Sequence, residues 1–230
     1  MVRRSEYGAL TEITLDRPDR RNALTPAGLD ALGAAVEAAE GHVLYLHGAG
    51  QAFCAGADLE TVDALDRAGA VGFARQGQRV ARDLATADAA VVAGIDGAAR
   101  GGGVELALAC DLRVATPEAT LAETGVSLGL FGAWGGTHRL PRAVGRADAF
   151  DVALTGRTLD AREARRAGLV SRVTENPRAV AETVADHDAA AVLTVAERLR
   201  DDATPRAQER REATTFGRLV EGCAERDGTN

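Results

Sequence analysis

The seven residues Ala89 to Ile95, AAVVAGI, constrain the fold more than any other stretch of the chain. They are continuous, apolar and rich in β-branched side chains, the pattern of a strand covered on both faces, as in parallel sheets flanked by helices. DGAARGGGVELALACD then carries the chain through glycines into a short helix, and LRVAT returns as another strand. The same β-loop-α order recurs upstream. Leu10, Ile13 and Leu15 mark a strand over Ala9 to Leu15. Thr25 as N-cap and Pro26 at the first helical position start a helix, in which Leu29, Leu32, Val36 and Ala39 recur at helical spacing until Gly41. His42 to His47 is the next strand, and Leu59 to Thr86 reads as helix interrupted near Gly69 and Gly72. Beyond GVSLGLFGAWGGTHRLPRAVG, helices are expected over Asp160 to Ala167, Pro177 to Asp188, Ala190 to Asp201 and Pro205 to Cys223. The class is α/β, with residues 1–173 as a core and 174–230 as a helical appendage.

Composition removes several chemistries. The 27 basic residues are all Arg, so a Schiff-base lysine and the lysine of a phosphate-binding P-loop are both excluded. With 34 Asp+Glu the net charge is -7, which argues against a nucleic-acid surface. Cys54, Cys110 and Cys223 form no CxxC, and the four histidines show no HExxH spacing, so neither structural zinc nor another metal is expected. The opening MVRRSEYGALTEITLDRPD has no apolar core of a secretion signal, and no run approaches the roughly 18 apolar residues of a membrane span. These features predict a reduced, unexported cytoplasmic protein with no membrane partner.

Two loops are built to surround a developing negative charge with backbone N–H groups. In FCAGAD, Phe53 to Asp58, the small residues Ala55, Gly56 and Ala57 let a ligand approach the main chain. In RGGGVE, Gly101, Gly102 and Gly103 precede a helical pattern, so their N–H groups fall at a helix N-terminus. One donor from each loop makes an oxyanion hole, in which a single donor contributes about 3 kcal/mol to a transition state. Glu105 follows in a helix apolar all round, where burial raises a carboxyl pKa toward the range a general acid/base needs. The same residues also fit a tight packing turn and a first-turn Glu complementing its own helix dipole, and spacing alone does not separate these readings.

The segments RRNAL (Arg20 to Leu24), AFCAGADL (Ala52 to Leu59), GGGVELALACDLRVA (Gly101 to Ala115), GGTHRLPRAVG (Gly135 to Gly145) and TGRTLDAREARRAGLVSRV (Thr155 to Val173) resemble the crotonase, or enoyl-CoA hydratase/isomerase, superfamily. The resemblance runs from about Leu10 to Val173 with the motifs in order. It implies a crotonase-like ββα spiral with C-terminal helices that form trimers or hexamers. It also implies an acyl-CoA thioester substrate and no cofactor beyond the CoA of that substrate. By motif position the thioester oxygen meets the N–H groups of Ala57 and Gly102, and Glu105 is the general acid/base. Ala55, Asp58 and Leu59 border the CoA and acyl path. RRNAL runs beside pantetheine and phosphates, with Ala23 on that path and Arg20 or Arg21 as anion partner.

Three departures follow from the same alignment. The second glutamate of the family's hydratases falls here on Gly125, with Glu123 two residues earlier and about 6–7 Å away if the segment is extended. Trp134 replaces part of a glycine-proline-glycine turn, near the acyl pocket or simply in the core. The sequence ends in CAERDGTN, where the resemblance leads one to expect a last helix closing the acyl-CoA site, and without the family's Lys contacts to phosphate either Arg serves or affinity drops. A single carboxylate favours isomerisation or decarboxylation over hydration. Two other readings are an acyl-CoA-binding relative without efficient turnover, and a Ser127 hydrolase, because GVSLG matches a nucleophile elbow with Asp151 or Asp160 and then His187 downstream.

Overall fold

The computed structural model describes residues 1–227, with side chains described through residue 222. Cys223 and the terminal CAERDGTN therefore lie outside the described side chains. The chain opens with a hairpin, β1 (Val2–Tyr7) and β2 (Leu10–Leu15), followed by α1 (Pro26–Glu37). Three turns of a spiral follow. The first is β3 (Val43–Gly48), β4 (Ala52–Cys54), α2 (Leu59–Asp63) and α3 (Arg67–Ala85). The second is β5 (Ala90–Ile95), β6 (Ala98–Arg100) and α4 (Gly102–Ala109). The third is β7 (Leu112–Ala115), β8 (Thr120–Ala122), α5 (Gly136–Val144) and α6 (Arg146–Thr155). Then come β9 (Leu159–Asp160), α7 (Ala161–Ala167), β10 (Arg172–Val173), α8 (Pro177–Ala185), α9 (Ala189–Arg200) and α10 (Pro205–Asp227).

Each turn lays its first strand in one sheet and its second in another. The larger sheet has the order β1-β2-β3-β5-β7-β10 and the smaller β4-β6-β8-β9. Pairing is parallel except between β1 and β2 and between β8 and β9. The corner from β5 to β6 turns at Gly97, and the second strand of each turn delivers its following loop to the same end of the smaller sheet. That stacking brings loops distant in sequence together.

β5 shows why its sequence lacks alternation. Val91, Ala93 and Ile95 enter the main core, whereas Val92 joins Leu10, Val43, Tyr45 and Val114 beneath Val180 and Ala181 of α8. Both faces are buried, so every position is apolar. On the main-core side α1 presents Leu29, Leu32 and Val36, and α3 presents Phe73, Val80 and Leu84. α9 buries no side chain fully; Arg200 at its end docks it by donating to the carbonyls of Ala87 and Ala89 and pairing with Asp111 at 2.5 Å.

The local signals at helix ends hold well. Thr25 accepts from the Gly28 N–H, and Asp160 with Glu163 forms a capping box on α7. The long helix expected over Leu59 to Thr86 is two, and it breaks at Ala64 to Asp66 rather than at the glycines, because Asp66 caps a new helix through the Gly69 N–H. β1 has no apolar alternation to announce it; this charged edge strand exists through its ladder with β2. α5 and α6 were also not evident, since a left-handed Gly135 at φ +112 starts α5 inside a glycine-rich run. No helix among the described residues is long and apolar enough to cross a membrane.

Candidate active site

β6 ends at Arg100 and the chain turns at Gly101, whose φ of +47 and ψ of -115 favour glycine. The Gly101 N–H donates to the Ala122 carbonyl of β8 at 2.9 Å. α4 then begins at Gly102, where an N–H has no acceptor one turn back. The loop after β4 lies opposite. Leu24 donates to the Gly56 carbonyl at 2.8 Å and accepts from the Asp58 N–H at 2.9 Å, a parallel bridge centred on Ala57. Leu24 thus bonds to the residues flanking Ala57, and the Ala57 N–H faces away from it. A side chain on Gly56 would begin 2.8 Å from the Gly102 nitrogen, so the two loops are in direct contact. Neither the Ala57 nor the Gly102 N–H donates to a protein acceptor among the described residues.

A cavity of about 220 Å³ opens beside these amides, lined by Ala55, Ala57, Gly102, Glu105, Glu123 and Trp134 among others, with half-exposed Leu59 on its rim. Glu105 is 2% exposed. Its Oε1 accepts from the Trp134 and Gly136 N–H groups, each at 2.7 Å, at the start of α5. Burial pushes the Glu105 carboxyl above the ordinary carboxylate range, while the N–H groups of Gly136, Trp134 and Gly135 and the charge of Arg139 pull it back. Glu123, 5% exposed, has an Oε1 with no partner, and burial together with the charge of Glu105 pushes it up to about 8. Both carboxylates face Gly132: a Cβ there would lie 3.0 Å from Glu105 Oε1 and 3.3 Å from Glu123 Oε2.

Trp134 has a double position. Its ring packs edge-on to Phe73 at 5.7 Å and fills the space that side chains at Gly77 and Gly102 would occupy, yet it also lines the cavity. Core packing and pocket lining are one role here.

The other expected residues are placed as follows. Asp58 is 5% exposed, pairs with Arg17 at 2.6 Å and caps α2 through the Thr61 N–H. The Arg17 hydrogen bond is the main reason its pKa lies below the usual range. Asp58 thus holds the Ala57 loop in shape. Ala23 is buried, its carbonyl accepting from Arg17. Arg20 pairs with Glu60 at 2.7 Å, whereas Arg21 is exposed and forms no ion pair among the described residues.

The hydrolase reading fails on local structure. Ser127 is exposed on a 3-10 turn over Thr124–Leu128 instead of sitting between a strand and a helix. Asp151 pairs with Arg157, Asp160 caps α7, and His187 lines a separate groove with Leu112 and Ala191.

Asn22 was not singled out among RRNAL, yet it organises the site. At φ +58 and 1% exposure, its amide donates to the carbonyls of Ala49, Ala52 and Phe53 and its Oδ1 accepts from the Arg17 N–H. An Asn between two exposed arginines and a buried pair is the available signal, because Asn tolerates the left-handed region. Asn22→Ala is expected to cost about 3 kcal/mol by denaturant unfolding, since it leaves buried carbonyls unpaired.

Comparison with known proteins places this geometry among relatives. The family model described as enoyl-CoA hydratase/isomerase matches residues 5–220. A protein of Rhizobium meliloti named "probable enoyl-CoA hydratase" is 38% identical over 181 residues, covering 77% of this chain and 70% of that one. A protein of Mycobacterium leprae named "probable enoyl-CoA hydratase echA8" is 36% identical over 227 residues, covering 94% of this chain and 82% of that one. The crystal structure of an enoyl-CoA hydratase from Bacillus anthracis superposes with a TM-score of 0.90 at 29% identity, covering 96% of this chain and 91% of that one. A Thermobifida fusca structure in complex with acetoacetyl-CoA gives 0.85 at 30% identity, covering 96% and 95%.

Proposed function

Because the chain belongs to the enoyl-CoA hydratase/isomerase family, with the spiral fold of that family's solved members, we propose that it acts on an acyl-CoA thioester through an enolate held by the Ala57 and Gly102 N–H groups, with Glu105 as general acid/base. The observation that carries this reading is the contact between the two loops, which leaves both amides without a protein acceptor beside a buried carboxylate. A thioester oxygen seated there gains negative charge as a proton leaves Cα or a nucleophile adds at Cβ. Donors already oriented beside the cavity stabilise that charge without reorganising.

Glu105 suits the proton-handling role because its carboxylate is fixed by two main-chain donors yet remains open to the cavity. The Ala55, Ala57 and Leu59 wall accepts the acyl and pantetheine portion. Burial lowers the Arg100 pKa and the charge of nearby, exposed Arg21 lowers it further; Arg21 supplies positive charge for the CoA phosphates in a chain without lysine. Assembly as a trimer or hexamer through the region 174–230, and a cytoplasmic setting, belong to the same proposal.

The test is a panel of acyl-CoAs read in parallel for binding, hydration, double-bond isomerisation and decarboxylation. Acetoacetyl-CoA, whose enolate absorbs in the near ultraviolet, reports on the hole directly: binding is expected to raise that absorbance. A protein that binds acetoacetyl-CoA but turns over no member of the panel is the weakly active binding relative, and one that binds none refutes the assignment.

A further inference from the structure

Glu123 has no part in the chemistry assigned so far. It stands directly after β8, and its neighbour Ala122 accepts the Gly101 N–H, so the strand end that carries Glu123 is hydrogen-bonded to the loop that carries Gly102. The chain then coils into the 3-10 turn instead of running on extended. The expected 6–7 Å offset between positions 123 and 125 assumed a strand; a 3-10 turn rises only about 2 Å per residue. Position 125 is walled by main chain, since a Cβ there would meet Phe131 Cα at 3.0 Å and the Phe131 nitrogen at 3.1 Å. Glu123 instead lines the cavity, faces Gly132 together with Glu105, and points a buried, unpartnered Oε1 that no protein group satisfies. A buried polar atom without a partner is rare in a folded protein and marks a place where substrate or water is to supply the bond.

We infer that Glu123, from two positions upstream, supplies the second proton-transfer group that Gly125 lacks, and that with Glu105 it equips the site to add water to a 2-enoyl-CoA. This rests on the acyl-CoA reading above and deepens it. The environments of the two carboxyls divide the roles. Glu105 receives two N–H donors at a helix start, which favours its anion and makes it the base. Glu123 receives none, sits beside that anion and keeps its proton near neutral pH, which makes it the acid. As a water oxygen bonds to C3, a water proton passes to Glu105. The C2–C3 π pair moves onto the thioester as an enolate between the Ala57 and Gly102 amides. The enolate then takes the carboxyl proton of Glu123 at C2. One water is consumed, and the proton gained by Glu105 returns to Glu123 across the space at Gly132.

The experiment compares wild type with Glu123→Gln for acetoacetyl-CoA binding and for hydration of 2-enoyl-CoAs from crotonyl-CoA upward, over pH 6 to about 9. The variant is expected to bind acetoacetyl-CoA like wild type, to melt no lower, and to hydrate at least about 100-fold more slowly. Wild-type kcat/KM is expected to fall as pH rises through about 8, and the variant to lack that limb. Should Glu123→Gln not fold, Glu123→Asp, which withdraws the carboxyl by one methylene, must show the same loss. Hydration by the variant within about threefold of wild type overturns the role of Glu123 and leaves the acyl-CoA reading standing. So does a wild-type protein that binds acetoacetyl-CoA yet hydrates no 2-enoyl-CoA. Absence of acetoacetyl-CoA binding by wild type removes the underlying reading itself.

Discussion

Glu105→Gln is expected to lower kcat on the true substrate by about 10²–10⁴-fold, with acyl-CoA affinity little changed. Glutamine keeps the carbonyl oxygen that accepts the Trp134 and Gly136 N–H groups, so the helix start and the cavity wall stay in place while the exchangeable proton is lost. Stability separates this from a structural effect. The folded-state pKa of Glu105 lies above the unfolded value, so its favourable contribution is present when the carboxyl is protonated and is lost as pH rises through the folded pKa. The same holds for Glu123, between the usual 4.5 and about 8. At pH 8 the Gln variant at position 105 should therefore melt no lower than wild type. A drop in Tm accompanying the drop in kcat, or an unchanged kcat, would take Glu105 out of the chemistry.

The second large effect is expected at Gly102. Its backbone is helical and tolerates any residue, but a Cβ would meet the Trp134 ring at 2.3 Å. Gly102→Ala must push either the ring or the α4 start aside, and a displacement of the amide costs about 10²–10³-fold in kcat/KM, the loss seen when one oxyanion donor is removed. Overpacking adds about 1–3 kcal/mol of destabilisation. The collision is with a side chain, so it can be relieved: Trp134→Leu shrinks the ring while its main-chain N–H still holds Glu105. The double variant should regain activity and stability over Gly102→Ala, giving a favourable coupling in the double-mutant cycle. Gly101→Ala serves as the contrast. Nothing lies within 4 Å of its Cβ position, so any loss there comes from the positive φ alone, and Trp134→Leu should not repair it.

The elements legible in the sequence were those governed by neighbours along the chain. β5 announced itself by continuous apolar residues, α1 by Thr25 and Pro26, and α7 was expected from Asp160 onward. The Ala57 and Gly102 loops and Glu105 could be singled out for the same reason: small residues that bare the main chain, and a charge inside an apolar helix, are local signals. β1 was invisible because a charged edge strand is made by its partner. The break between α2 and α3 fell at a capping aspartate, which outweighed the glycines nearby.

What the tertiary structure alone decided is which groups meet. Asp58 and Arg20 carry charge toward the site in the sequence, and only the fold shows their long-range pairing with Arg17 and Glu60. Asn22 looked ordinary and proves to tie three carbonyls together. Glu123 was separated from its role by an assumed strand; coiling after β8 and the approach of Gly132 set its carboxyl beside that of Glu105. A sequence records side-chain chemistry and local conformational preference, whereas the distance between two carboxylates is set by the stacking of spiral turns, to which residues far along the chain contribute.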